Sequence, residues 1–207
     1  MTEIWRVMAL SPVIPVLVVR EVAHARPIAE ALVAGGLRTL EVTLRTPVAL
    51  DVIAEMAKVE GAVVGAGTVL NASDLEASLD AGAAFIVSPG LTETLARAAK
   101  ERQAAFLPGV ANAGDIMRGL DLGLRHFKFF PAVAAGGLPA LKSLAGPFAD
   151  VRFCPTGGVT LQTAPEWLAL EQVLCVGGTW LVAPGEPDTV VIRRNAEQAA
   201  ALRRVAA

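Results

Sequence analysis

Residues 39–81 read TLEVTLRTPVALDVIAEMAKVEGAVVGAGTVLNASDLEASLDA, and the change of rhythm inside that stretch decides the fold class. Positions 39–44 and 63–69 are short, β-branched and apolar, and bounded by turn residues, which predicts strands. Positions 48–59 and 73–81 carry apolar residues at three- and four-residue spacing, which predicts helices. Asn71 and Ser73 are N-cap candidates, and Glu76 three residues after Ser73 completes a capping-box pattern. Gly82 follows where a helix needs a left-handed residue to end. Strand, helix, strand and helix in immediate succession predict a parallel sheet.

Working outward, the same alternation fills the chain. Strands are predicted at 13–19, 39–44, 63–69, 85–88, 105–108, 126–130, 152–155 and 174–181. Helices are predicted at 25–34, 48–59, 73–81, 92–102, 112–122, 138–144, 161–169 and 188–205. Eight such units of roughly 20 to 26 residues predict a single domain over 1–207, a compact (β/α)8 TIM barrel of eight parallel strands. An open doubly wound sheet is the alternative. It usually carries a glycine fingerprint after its first strand, where this chain has Arg20-Glu21-Val22. In the barrel, ligand chemistry is expected at the C-terminal ends of the strands.

Composition narrows the function classes. The chain has 207 residues, 54% of them hydrophobic, enough for one substantial core. No apolar stretch reaches the roughly 18 residues of a membrane span, and the longest, 13–19, contains Pro15 and stops at Arg20-Glu21. Glu3 and the lack of a small-residue cleavage site argue against a signal peptide. A net charge of −2 with acids and bases interspersed argues against nucleic acid as a partner. Cys154 and Cys175 each fall in an apolar run, as buried thiols of a reduced, cytoplasmic protein do. With two histidines and two scattered cysteines, no metal-ligand spacing is present.

Lys128 is the first candidate for chemistry. It lies in the strand-like run His126-Phe127-Lys128-Phe129-Phe130-Pro131, whereas Lys58, Lys100 and Lys142 fall on helical stretches with a polar face. A desolvated amine loses proton affinity, and a neutral amine attacks carbonyls to form a Schiff base. The alternative is a strand-end lysine that snorkels to solvent. Period two in 39–44 puts Glu41, Thr43 and Arg45 on one face and the aliphatic side chains on the other. Glu41 and Arg45 are either a structural ion pair or a general acid/base beside a carboxylate clamp. Thr68 follows Gly65-Ala66-Gly67, where backbone can approach a ligand, and Ser88-Pro89-Gly90 makes a tight turn at the same rim. The last two predicted strands end in Thr156-Gly157-Gly158 and Gly177-Gly178-Thr179, whose bare amides suit an anion such as phosphate. Packing glycines are the alternative there.

These motifs together resemble one family. Glu41-Val-Thr-Leu-Arg45-Thr, Gly65-Ala-Gly-Thr68-Val-Leu-Asn71, Ser88-Pro-Gly-Leu-Thr92, Phe127-Lys128-Phe-Phe-Pro-Ala132, Ala145-Gly-Pro-Phe148, Arg152-Phe-Cys-Pro-Thr-Gly-Gly158 and Gly177-Gly-Thr-Trp-Leu181 are similar to the 2-keto-3-deoxy-6-phosphogluconate aldolases. Those are class I enzymes of the Entner–Doudoroff pathway, often also active on 4-hydroxy-2-oxoglutarate. The resemblance runs in unbroken order from Pro12 to Leu181. It implies a cytoplasmic, homotrimeric TIM barrel that needs no metal or cofactor and cleaves a phosphorylated 2-keto-3-deoxy sugar acid to release pyruvate. By that resemblance Lys128 forms the Schiff base and Glu41 shuttles protons. Arg45 and Thr68 would hold the pyruvate carboxylate, Pro89 and Phe130 line the pocket, and Thr156 face the sugar hydroxyls. Gly157, Gly158, Gly178 and Thr179 would bind the phosphate. Three positions depart from the family pattern: Thr179 replaces a frequent serine, Val133 a frequent glutamate, and Val110-Ala111-Asn112 a more usual Ser-Thr pair. A phosphosugar isomerase or synthase, and a non-catalytic phosphoanion-binding barrel, are the competing functions.

Overall fold

The computed structural model describes residues 3–202. The predicted order of strands and helices is largely present. In chain order the elements are α1 (Ile4–Ala9), β1 (Val13–Leu17), α2 (Ala25–Ala34), β2 (Thr39–Thr43), α3 (Ala49–Met56), β3 (Val63–Gly67), α4 (Ala72–Asp80), β4 (Phe85–Val87) and α5 (Glu93–Glu101). They continue with β5 (Ala105–Leu107), β6 (Gly109–Val110), α6 (Ala113–Asp121), β7 (His126–Phe129), α7 (Gly137–Ala145), β8 (Arg152–Pro155), α8 (Ala164–Leu168), β9 (Val176–Gly178) and α9 (Thr189–Ala200). Residues 203–205 of the last predicted helix lie outside the described residues.

The closed eight-stranded TIM barrel is not what the backbone ladder forms. Among the described residues the strands divide into two parallel sheets, one of six in the order β5-β4-β3-β2-β1-β9 and one of three in the order β6-β7-β8. Two prolines account for the division. Phe153 donates its N–H to Gln172 O (2.7 Å) and accepts from Leu174 N–H (3.1 Å). The next position on that edge is Pro155, which has no N–H to offer. Only isolated bridges, Phe153↔Val173 and Thr156↔Gly177, therefore link β8 to the β9 segment. At the other junction Pro108 separates β5 from β6; its carbonyl accepts from Lys128 N–H (2.8 Å), but it cannot return a donor.

Local chemistry sets the boundaries. Asn71 caps α4, its side chain accepting from Asp74 N–H at 2.9 Å, so Ser73 lies inside the helix rather than at its cap. Glu76 instead pairs with Arg102. Asn112 caps α6 in the same way, accepting from Asp115 N–H at 3.0 Å. Asp188 caps α9 by accepting from the N–H groups of Val190 and Val191, each at 3.0 Å. No helix among the described residues is long and apolar enough to cross a membrane.

Each sheet has two apolar faces. Leu40, Val42, Val64, Ala66, Phe127, Phe129 and Phe153 belong to the large core that faces the helices. Ile14, Phe85, Val87, Ala105, Leu107, Cys154 and Cys175 form a second, smaller core on the opposite faces, and Val7 and Met8 of α1 complete it. No helix was predicted at 4–9. It is anchored at the start of β2, where the Thr39 hydroxyl donates to Val7 O at 3.2 Å.

Candidate active site

Glu41 and Lys128 leave opposite sheets and meet. Strand alternation turns Glu41 of β2 toward the smaller-core face, because its register partner Gly65 pairs in turn with Phe85. Lys128 of β7 pairs with Cys154 of β8 and points to the same space from the other side. Lys128 Nζ donates to Glu41 Oε1 at 3.0 Å, with side-chain exposures of only 6% and 4%. The snorkelling alternative is thereby excluded. A pair this dry exists only because each charge compensates the other. The alternative pairing of Glu41 with Arg45 does not form: Arg45 is exposed and its Nε donates to Thr68 Oγ1 at 3.2 Å.

The remaining candidates lie at or just beyond the C-terminal ends of the strands. Thr68 directly follows β3 with φ +60, a left-handed conformation rare for a β-branched residue, which turns its hydroxyl to Arg45. Phe130 places its ring 5.2 Å from Lys128 Nζ. Pro89 is half-buried, and its carbonyl fills the space beside Gly109, the register partner of Lys128. Thr156 is buried, with its hydroxyl 3.3 Å from Cys154 O.

The paired glycines divide into two kinds. Gly157 and Gly158 have φ of +101 and +81, a conformation that favours glycine, so this turn needs them for its backbone. The Ala132 and Val133 N–H groups donate to Thr156 O and Gly157 O at 2.8 and 3.0 Å, docking the turn against the loop after β7. Val133 packs where Gly158 lacks a Cβ. Gly178 has no positive φ; a Cβ there would lie 2.0 Å from the Trp180 ring, so its smallness makes room for that side chain. Thr179 is exposed and lines a cavity of about 510 Å3 with Val16, Val18, Arg20 and His24. The Thr156↔Gly177 bridge holds the two glycine turns side by side.

The sequence that carries this pair matches a known family. The model of that family, KDPG and KHG aldolase (2-keto-3-deoxy-6-phosphogluconate and 4-hydroxy-2-oxoglutarate aldolase), covers residues 4–194. The chain belongs to this family. It is 59% identical to the 2-dehydro-3-deoxy-phosphogluconate aldolase of Zymomonas mobilis over 206 residues, 100% of this chain and 99% of that one. The crystal structure of the 2-keto-3-deoxy-6-phospho-gluconate aldolase of Zymomonas mobilis superposes with a TM-score of 0.98, covering 100% of both chains. A KDPG aldolase from Legionella pneumophila, 43% identical and covering 97% of this chain and 99% of its own, superposes with a TM-score of 0.93; it holds pyruvate captured at low pH as a covalent carbinolamine intermediate.

Two contacts in the site are not legible in the sequence. Gly67 lies against the Glu41 carboxylate and Gly177 against the Thr156 hydroxyl, each at a separation that would place an added Cβ 2.2 Å from the oxygen. The sequence shows the glycines but not what occupies the space they leave. Thr43, on the Glu41 face of β2, spends its hydroxyl on Leu17 O at 2.8 Å and so tightens β2 against β1.

Proposed function

We propose that this chain is a Schiff-base aldolase that cleaves 2-keto-3-deoxy-6-phosphogluconate to pyruvate and glyceraldehyde 3-phosphate, and 4-hydroxy-2-oxoglutarate to pyruvate and glyoxylate. The observation that carries the proposal is the buried 3.0 Å contact between Lys128 Nζ and Glu41 Oε1. A proton passed along that hydrogen bond leaves a neutral amine and a neutral acid. The amine adds to the keto carbon beside the substrate carboxylate, giving a carbinolamine. Glu41 returns its proton to the carbinolamine hydroxyl, water departs, and a protonated imine remains. The carboxylate then removes the proton of the carbon-4 hydroxyl. The bond between carbons 3 and 4 breaks, its electrons pass into the imine, and the aldehyde is freed. Glu41 protonates the resulting enamine, and water hydrolyses the imine to pyruvate and the free lysine.

The other residues bind in this proposal. The planar Arg45 fork and the Thr68 hydroxyl, 3.2 Å apart, take the pyruvate carboxylate. Phe130 and Pro89 wall the reacting carbons, and Thr156 faces the substrate hydroxyls. Gly157, Gly158, Gly178 and Thr179 take the phosphate, converting remote binding into orientation at the imine. The protein acts as a single-domain, homotrimeric enzyme of the cytoplasm. Borohydride reduction in the presence of pyruvate tests the chemistry. A stable pyruvate adduct on the Lys128 peptide is expected, whereas an unmodified chain would exclude the imine and favour a phosphosugar isomerase or a phosphoanion-binding protein.

A further inference from the structure

Some of the glycines here cannot be explained by their backbone. Gly65, Gly67 and Gly177 lack the positive φ that favours glycine, so alanine could adopt their conformations. What excludes alanine is space. On β3, Gly67 is the register partner of Thr43, two residues beyond Glu41 on the same face of β2. The Glu41 side chain leans toward the C-terminal ends of the strands and lies over Gly67. A Cβ there would come within 2.2 Å of Oε1, 2.7 Å of Cγ and 2.8 Å of Cδ. The same oxygen accepts from Lys128 Nζ at 3.0 Å. The carboxylate is thus in contact with both a bare glycine and the amine, with 3% of the residue exposed.

We propose that Gly67 is the positioning residue for Glu41: its missing side chain is the seat in which the carboxylate rests, and that seat sets the reach of Glu41 to Lys128 and to the carbon-4 hydroxyl. The inference rests on the proton-transfer role proposed for Glu41. A methyl group at 67 would push the carboxylate out of line with the amine and the reacting hydroxyl while leaving the amine in place. Binding of the substrate carboxylate at Arg45 and of the phosphate at the glycine turns would be unaffected, so the loss should fall on kcat rather than KM.

The test is a cycle of Gly67→Ala, Glu41→Ala and the double variant, with Gly65→Ala as a steric control. Gly67→Ala is expected to lower kcat for cleavage about 100-fold or more, the scale of a misplaced general acid/base, with KM little changed. Borohydride should still trap pyruvate on Lys128, but more slowly than in the parent, because Glu41 also draws the proton from the amine. The double variant should be no slower than Glu41→Ala, because the methyl then has no carboxylate to displace. A Gly67→Ala enzyme with kcat within about twofold of the parent, or losses that multiply in the double variant, would overturn the inference. Should Gly67→Ala fold poorly, stability carries the same test. Removing the Glu41 atoms beyond Cβ should restore the melting temperature of the double variant to that of Glu41→Ala. The Gly65→Ala defect, a clash with the Phe85 ring at 2.5 Å, should not be relieved by Glu41→Ala. A double variant as unstable as Gly67→Ala would overturn the inference. If the parent protein forms no adduct with pyruvate, the aldolase proposal fails on its own, and the stability cycle still decides whether Gly67 seats Glu41.

Discussion

Lys128→Met separates the chemistry of the buried pair from its contribution to the fold. Methionine keeps the length and volume of lysine and discards the amine, so the apolar contacts of β7 persist. The Glu41 carboxylate, with its residue 3% exposed, then faces no cation. Removing one member of a buried ion pair costs about 3–5 kcal/mol, because the surviving charge stays desolvated. At about 2–4 °C per kcal/mol for a chain of this size, the melting temperature should fall by about 6–20 °C. Adding Glu41→Gln removes the orphaned charge and should recover most of that loss. Cleavage, followed as pyruvate through a lactate dehydrogenase coupling, should be abolished in both variants. So should borohydride-dependent attachment of pyruvate. An adduct in folded Lys128→Met would show that another amine carries the chemistry. An unchanged melting temperature would show that the two side chains do not depend on each other.

Four further outcomes are expected. Arg45→Ala should lower kcat/KM for both 2-keto-3-deoxy-6-phosphogluconate and 4-hydroxy-2-oxoglutarate, since both present the same carboxylate. Thr179→Val, at an exposed position clear of the Trp180 packing, should lower it about tenfold or more for the phosphorylated substrate alone, the scale of one hydrogen bond to a charged group; equal losses for the two substrates would place the phosphate elsewhere. Cleavage should survive exhaustive chelation, because the protonated imine is the electron sink; loss with EDTA and recovery with a divalent cation would refute the imine mechanism. Burial, and next the nearby Arg152 charge, push the His126 imidazole below its ordinary value of 6.5. The unfolded chain therefore takes up this proton at higher pH than the folded one does. His126 lowers stability progressively as pH falls through 6.5 toward its folded value. Urea midpoints at neutral and acidic pH should show this decline, and His126→Gln should flatten it.

The strand–helix alternation was legible because each element is long enough to show its period. Closure was not, because it depends on hydrogen bonds between strands far apart in sequence. Pro108 and Pro155 read as strand residues, and only the pairing partners reveal that each withholds a donor at a sheet junction. Six-residue α1 is too short for a helical period to register, and Glu3 offers it no side-chain cap. Lys128 and Glu41 each stood out as charges in apolar strands. Their contact spans 87 positions, so neither neighbourhood contains the other. The glycines were the most ambiguous signal. A missing side chain looks the same in sequence whether the vacancy serves a left-handed turn (Gly157), a carboxylate (Gly67) or an indole (Gly178).

Helix α1 has a consequence for traffic. Val7 and Met8 are wholly buried among Ile14, Phe85, Leu107 and Cys175, so α1 packs against the same sheet faces from which Glu41 and Lys128 project. In the proposed mechanism both halves of the substrate reach the pair from the C-terminal ends of the strands, away from the start of β2 where α1 is anchored. In that mechanism the half tethered to Lys128 is held until the imine is hydrolysed, whereas the aldehyde is free once the bond between carbons 3 and 4 breaks. The aldehyde therefore departs first, the water that hydrolyses the imine follows the route it has cleared, and pyruvate comes out last. In the synthetic direction the order reverses, because the enamine of pyruvate must form on the lysine before an aldehyde can add to it.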